Sequence, residues 1–277
     1  MLSHTQLSQI DKKGYTLIEN FLNIKEANLW IDFFKQMGNE IKRDIIKEKQ
    51  GKEKKYKEAT ITIDPYKGHR HLSRIQRVLV QTKQGKDFID RGSKLIQSIN
   101  PNLVFFKDRY IIQAPGMPGL LPHQDNSAVY HEEIAKAYYT IYIALTPTTE
   151  KGGCLFVENL PKNPPQRKKN LRMCDVGCVQ LDTECVCAAE GIGPKEIKKY
   201  KGYNMMPIPM SAGDCIILDG WLLHGTALNN GDSFRKTLTI SYIEPKDNVQ
   251  KLNKHYGNPR KDRIIDIKNE REQEYVH

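Results

Sequence analysis

Leu103-Val-Phe-Phe-Lys-Asp-Arg-Tyr-Ile-Ile-Gln-Ala114 runs into Pro115-Gly-Met-Pro-Gly119 and on to Pro122-His-Gln-Asp125. The first stretch is rich in β-branched and aromatic residues and is closed by Pro and Gly, the signature of a strand and its exit. Runs of the same kind recur at Tyr138–Leu145, Cys154–Val157, Met206–Met210, Asp214–Leu218 and Phe234–Ile243. Short strands at this density predict a sandwich or barrel.

Upstream the period changes. Asn23 with Glu26 makes a capping box, and Ile24, Ala27, Trp30, Phe34, Met37, Ile41 and Ile45 follow at helical spacing. A second helix is expected over Lys86–Ile99, with Phe88, Leu95, Ile96 and Ile99 inward and Asn100-Pro101 as its stop. The chain therefore reads as a single domain over 1–277, mainly β with flanking α-helices. A mostly helical buttress is expected at 1–101, a strand-rich core at 102–245 and a C-terminal extension at 246–277. Within the core, Lys162–Lys201 lacks a clear period and carries Pro164-Pro165 and the basic run Arg167–Lys169, which suggests an insert or lid.

Length and composition fit a globular protein with a full core: 277 residues, 39% hydrophobic and 27% charged, which excludes a collagen, a coiled coil and a mainly disordered chain. The net charge of +10 is spread along the sequence, and sign alone selects no partner. Its densest cluster, Lys42–Lys57, is interspersed with Glu48 and Glu53 and followed by Glu58, as on a solvated helix face. No aromatic ladder or zinc-finger spacing points to nucleic acid. Met1–Ile10 lacks the basic head and apolar stretch of a leader, and no apolar run approaches the roughly 18 residues needed to cross a bilayer; a cytoplasmic location without membrane contact is the expectation. Cys174, Cys178, Cys185 and Cys187 are clustered, but their gaps do not form paired CxxC knuckles. Small buried or loop thiols are expected instead.

The chemistry-bearing residues begin at His123-x-Asp125. In an extended chain an imidazole and a carboxylate two residues apart point the same way and can share a cation. The pair alone is a common surface feature and needs a third ligand. His224, in Gly213-Asp-Cys-Ile-Ile-Leu-Asp-Gly-Trp-Leu-Leu-His-Gly-Thr226, is a candidate. Two histidines and one carboxylate leave open positions on an octahedral metal, the arrangement suited to non-haem Fe(II). Arg235 opens an alternating strand through Tyr242, where a permanently charged fork could hold a carboxylate by two parallel hydrogen bonds.

His123-x-Asp125, His224, Thr226 and Arg235, with Gly213-Asp214 upstream of the distal histidine, resemble the phytanoyl-CoA dioxygenase family of Fe(II)/2-oxoglutarate oxygenases over roughly 102–245. The resemblance implies a distorted double-stranded β-helix, or jelly roll, buttressed by N-terminal helices. It implies that His123, Asp125 and His224 ligate Fe(II), and that Arg235 and Thr226 hold the distal carboxylate of 2-oxoglutarate, with O2 as the second cosubstrate. Tyr142 falls where relatives line the cosubstrate pocket, and Gln113 sits on the strand entering the site; both are also compatible with ordinary strand residues. A retained Asp125 favours hydroxylation over halogenation, since related halogenases have a small residue there; desaturation, epimerisation and ring closure use the same three ligands and stay open. One departure concerns the substrate pocket: many relatives have a Pro-Gly-Ser-His turn after the strand ending at Val157, whereas this chain reads Glu158-Asn-Leu-Pro161.

The expected substrate is a small specialised metabolite. A sulfated guanidine alkaloid such as 7-deoxycylindrospermopsin is one such molecule, and would need a basic contact and an acidic or aromatic one. Trp221, Tyr130, Tyr138 and Tyr139 are candidates to line the pocket. The alternatives are an oxygenase acting on an acyl-CoA or a protein side chain, a zinc hydrolase using similar ligands, and a catalytically silent jelly-roll binding protein.

Overall fold

The computed structural model describes residues 1–67, 69–120, 122–126, 135–159, 179–181, 184–186 and 205–246. The segment 162–201, apart from two three-residue strands, and the extension beyond 246 therefore lie outside the described residues, as do the side chains of the four clustered cysteines and Tyr130. Cys154 and Cys215 are buried free thiols.

Among the described residues three α-helices and twelve strands follow in the order α1 (His4–Lys13), β1 (Tyr15–Ile18), α2 (Ile24–Lys49), β2 (Thr60–Tyr66), β3 (His69–Gln76), α3 (Lys83–Ile96), β4 (Val104–Gln113), β5 (Ala135–Ala144), β6 (Leu155–Glu158), β7 (Val179–Leu181), β8 (Glu184–Val186), β9 (Met205–Ile208), β10 (Cys215–Asp219), β11 (His224–Thr226) and β12 (Arg235–Pro245), with a short 3-10 turn at Leu79–Gln81 before α3. A seven-stranded sheet runs β1-β10-β5-β12-β4-β3-β2, and a three-stranded sheet runs β11-β6-β9. Their ladders are antiparallel, and together they form the double-stranded β-helix.

The capping box forms at α2: Asn23 accepts from the Glu26 N–H and Glu26 accepts from the Asn23 N–H. Of its apolar stripe, Ala27, Trp30, Phe34, Met37 and Ile41 are buried, whereas Ile24 is exposed at the first turn. α2 and α3 cover one face of the large sheet, where Phe34 stacks on Tyr110 with ring centroids 4.3 Å apart and the Tyr242 hydroxyl donates to the Ile89 carbonyl at 3.0 Å. The other face meets the small sheet: Tyr142, Ala144, Ile216 and Leu218 pack with Leu155, Val157, Ile208 and Met210. Each strand thus serves two interiors through its two-residue alternation.

The boundary at residue 101 is not one the sheet respects. β1, β2 and β3 all join the large sheet, so the first hundred residues supply both the helical cover and three strands. β3 pairs with β4 directly, which puts N-terminal residues on the wall of the site.

Candidate active site

His123 and His224 are brought together by the backbone. They form an isolated antiparallel bridge, with the His123 N–H donating to the His224 carbonyl at 2.8 Å and the reverse bond at 3.0 Å. This places residue 123 beside the first residue of β11, itself paired with Val157 of β6. The two imidazoles face each other with centroids 4.4 Å apart. Asp125 completes the group: Oδ1 lies 3.5 Å from His123 Nε2 and Oδ2 lies 3.8 Å from His224 Nε2. One donor atom from each of the three falls within 4.8 Å of the others, a spacing that one ion can bridge. The side chain of His224 is 7% exposed against 16% and 20% for His123 and Asp125, so ligands must approach over the latter two.

The surrounding hydrogen bonds orient these donors. His224 Nδ1 lies 2.9 Å from the Leu222 carbonyl, which assigns it the proton and leaves the Nε2 lone pair for a metal. Thr140 on β5 donates its hydroxyl to Asp125 Oδ2 at 2.7 Å and lies 3.3 Å from the Ser241 hydroxyl of β12. Burial pushes the His224 imidazole down to about 4, helped by the adjacent His123 and opposed by Asp125. Burial would raise the Asp125 carboxyl, but His224, His123 and Lys107 outweigh it and hold the group well below the usual carboxylate range. A neutral imidazole and an ionised carboxylate are the forms that bind a cation.

Arg235, Thr226, Tyr142 and Gln113 line the same cavity as the three donors. Arg235 opens β12 opposite Gln113 of β4. It is buried, donates from Nη1 to the Gly153 carbonyl, and has an Nε without a partner. The buried Tyr142 hydroxyl has none either. A buried guanidinium without a carboxylate partner among the described residues, beside an unmet phenol, suits a diacid such as 2-oxoglutarate. Thr226 accepts from the Leu120 N–H at 2.8 Å, which leaves its own hydroxyl proton to donate. At Gly119 a Cβ would come 1.9 Å from the Thr226 carbonyl, so only glycine lets this loop close on β11.

Gln113 has a bracing role as well. Its amide donates to the carbonyls of Met117 at 2.8 Å and Ala227 at 3.0 Å, tying the loop after β4 to the segment after β11, while its Oε1 lacks a partner. Among the aromatic candidates, Tyr138 lines the cavity and Tyr139 packs toward the helix-covered core. Trp221 is engaged through its backbone, the carbonyl accepting from Gln124 at 2.7 Å. Thr140, Arg74, Lys107 and Arg109 also line the site and were not singled out by the sequence reading. Period-two reading of β4 gives the signal for two of them: Lys107 and Arg109 alternate with Asp108, Tyr110 and Ile112, which are buried.

Jelly-roll folding, a facial His-Asp-His cluster and a buried arginine in one cavity define the class of Fe(II)- and 2-oxoglutarate-binding oxygenase folds. The model of the phytanoyl-CoA dioxygenase (PhyH) family matches residues 10–237, and the chain belongs to that family. It is 26% identical over 157 residues to phytanoyl-CoA dioxygenase domain-containing protein 1 of Danio rerio, covering 56% of this chain and 50% of that protein. The match thus spans about half the length of that curated relative. Among solved structures, EctD from S. alaskensis in its apoform aligns with a TM-score of 0.60 at 15% identity, over 87% of this chain and 77% of that one. The 2-oxoglutarate-dependent carbocyclase SnoK from nogalamycin biosynthesis aligns with a TM-score of 0.59 at 16% identity, over 88% and 84%. The epimerase SnoN, in a complex with Fe3+, α-ketoglutarate and nogalamycin RO, aligns with a TM-score of 0.55 at 15% identity, over 87% and 82%. At these identities the likeness is one of fold. No helix among the described residues is long and apolar enough to cross a membrane.

Proposed function

We propose that the protein is an Fe(II)- and 2-oxoglutarate-dependent oxygenase that hydroxylates an unactivated C–H bond of a small specialised metabolite, with release of succinate and CO2. The observation that carries this reading is the convergence of His123, Asp125 and His224 on one point in a cavity that Arg235 and Thr226 also line. When bound, Fe(II) supplies the redox centre at which 2-oxoglutarate and O2 react, chemistry that belongs to the cofactors.

The chain's own residues supply placement. Leu222 fixes the His224 tautomer through the Nδ1 contact, and Thr140 holds one oxygen of Asp125 by a hydrogen bond. The Arg235 fork and the Thr226 hydroxyl receive the distal carboxylate of 2-oxoglutarate. Tyr142, Leu155 and Leu218 give the cavity apolar wall, which excludes water and aligns the target carbon. In this reading residues 1–277 act as one catalytic domain.

The test is an aerobic screen with Fe(II), 2-oxoglutarate and candidate metabolites, read by mass spectrometry for a gain of one oxygen and by succinate release. The expected result is stoichiometric succinate that requires O2 and disappears in Asp125→Ala. Succinate at the wild-type rate from Asp125→Ala would contradict the ligand set.

A further inference from the structure

The charge of the cavity is not exhausted by the metal and the cosubstrate. Its wall carries Arg74, Lys107, Arg109 and Arg235 against Asp64 and Asp125. With the two histidines neutral, as ligation requires, four cations face two carboxylates among the described lining residues. Fe(II) would add two positive charges and 2-oxoglutarate two negative ones, so loading both leaves that balance among the described residues unchanged. This holds whichever of the cations receives the cosubstrate.

Two of these cations share a strand. Lys107 and Arg109 are alternate residues of β4 and leave the same face of the sheet, opposite Ser241 and Thr239 of β12. Ser241 pairs in turn with Thr140 of β5, the residue that holds Asp125. The Lys107–Arg109 pair therefore stands beside the row of residues under the metal ligands, while Arg235 pairs with Gln113 at the far end of β4. The Lys107 ammonium lies 5.6 Å from the centroid of the Tyr138 ring, another cavity residue. Arg109 donates from Nε to the neutral carboxamide of Gln76 at 3.2 Å, and among the described residues no carboxylate neutralises it. The Cα atoms of these two residues stand about 7 Å apart along the strand, a spacing from which both long side chains can reach one oxyanion.

We propose that the Lys107–Arg109 pair of β4 anchors an oxyanion (sulfate, phosphate or carboxylate) of the substrate, so that the enzyme selects an anionic small molecule. This rests on the oxygenase reading above. Anchoring at this pair fixes the molecule on the side of the cavity near Asp125 and leaves the Arg235 end to the cosubstrate. A neutral analogue would lack the group that places its C–H bond.

The experiment is a calorimetric titration of phenyl sulfate, phenyl phosphate, benzoate and neutral benzyl alcohol into protein loaded anaerobically with Fe(II) and 2-oxoglutarate. At least one anion is expected to bind at least tenfold more tightly than benzyl alcohol. Lys107→Gln and Arg109→Gln should each weaken that anion about tenfold or more, the scale of losing one charged partner. Arg109→Lys should restore part of the loss, and it serves as the readout if Arg109→Gln melts without cooperativity. The visible charge-transfer band of the Fe(II)–2-oxoglutarate complex should persist through each titration of the wild type and of the Arg109 variants. Anions that bind no better than benzyl alcohol, that ignore both Gln variants, or that remove the band by displacing 2-oxoglutarate would overturn the proposal. Lack of the band before any probe is added would instead remove the oxygenase reading. The same titration of apoprotein, wild type against Arg109→Gln, would then still decide whether the β4 pair holds an anion.

Discussion

The two faces of the large sheet are built from the same strands and do opposite work. On β12, Leu238, Ile240 and Tyr242 face the helices, while Arg235, Thr239 and Ser241 face the cavity. On β4, Tyr110 belongs to the helix-covered core and Lys107, Arg109 and Gln113 line the site. A slip of one residue would exchange the two sets, so the apolar face specifies the register that the polar face needs. Stability and chemistry are thus assigned to alternate residues, and substitutions on the two faces should separate cleanly.

The largest expected effect is at the metal. Asp125→Ala should abolish both Fe(II) binding and 2-oxoglutarate turnover while shifting the thermal midpoint by only about 2 °C, within the range of a mild substitution. On the other face, Phe34→Ala should cost about 3–5 kcal/mol in denaturant unfolding, from lost burial and the cavity left against Tyr110, with the metal affinity of the folded fraction retained. Loss of metal binding in folded Phe34→Ala would break the comparison.

Next comes Arg235→Gln, expected to weaken 2-oxoglutarate about a hundredfold, as for removal of one partner of a buried charged pair. Arg235→Lys should recover only part of it because the planar fork is lost. Thr140→Val should lower Fe(II) affinity by about tenfold to a hundredfold, the usual cost of removing a hydrogen bond to a ligating group, and Thr140→Ser should restore it. Equal behaviour of the two Thr140 variants in an Fe(II) titration would mean that the hydroxyl does not position Asp125.

The smallest effect is in the pH dependence of the apoprotein. The His224 imidazole, ordinarily near 6.5, is pushed down to about 4 by burial. The unfolded chain therefore takes up a proton that the folded one resists, and stability falls as pH drops from about 6.5 toward 4. Asp108, on the helix side of β4, is pushed up to about 6 from 3.8, mainly by burial and against the backbone N–H groups it accepts from. It contributes in the opposite sense: its stabilisation is present below about 3.8 and lost as pH rises through 6. Urea midpoints across this range should flatten on the acid side in His224→Leu and steepen in Asp108→Asn.

Much of this arrangement was legible in the sequence where one face was uniformly apolar. The Asn23–Glu26 box and the stripe from Ala27 to Ile41 located α2, and the β-branched runs located β4, β5, β6, β9, β10 and β12 to within a few residues. β2 and β3 were not legible, because Pro65 and the charged or polar residues Asp64, Ser73 and Arg74 interrupt the apolar alternation on the side that faces the cavity. β1 has only four residues, and α1 is too polar to show an apolar stripe despite its own Ser3–Gln6 capping box. The donor set and Arg235 were candidates from their spacing and chemistry, and the β4 cations show only in the two-residue alternation of that strand, whereas Thr140 depends on strand register, which one sequence does not reveal. The same property that hid β3, its polar inner face, is what makes it part of the site.

His123, Asp125 and His224 are proposed to hold one ferrous ion, with Arg235 anchoring the diacid cosubstrate. The decisive experiment is an anaerobic titration of 2-oxoglutarate into Fe(II)-loaded protein while the visible charge-transfer band is followed. A band that saturates at one cosubstrate per chain, is absent in Asp125→Ala and needs far more 2-oxoglutarate in Arg235→Gln is the expected result. No band at saturating cosubstrate, or an undiminished band in Asp125→Ala, would contradict the account.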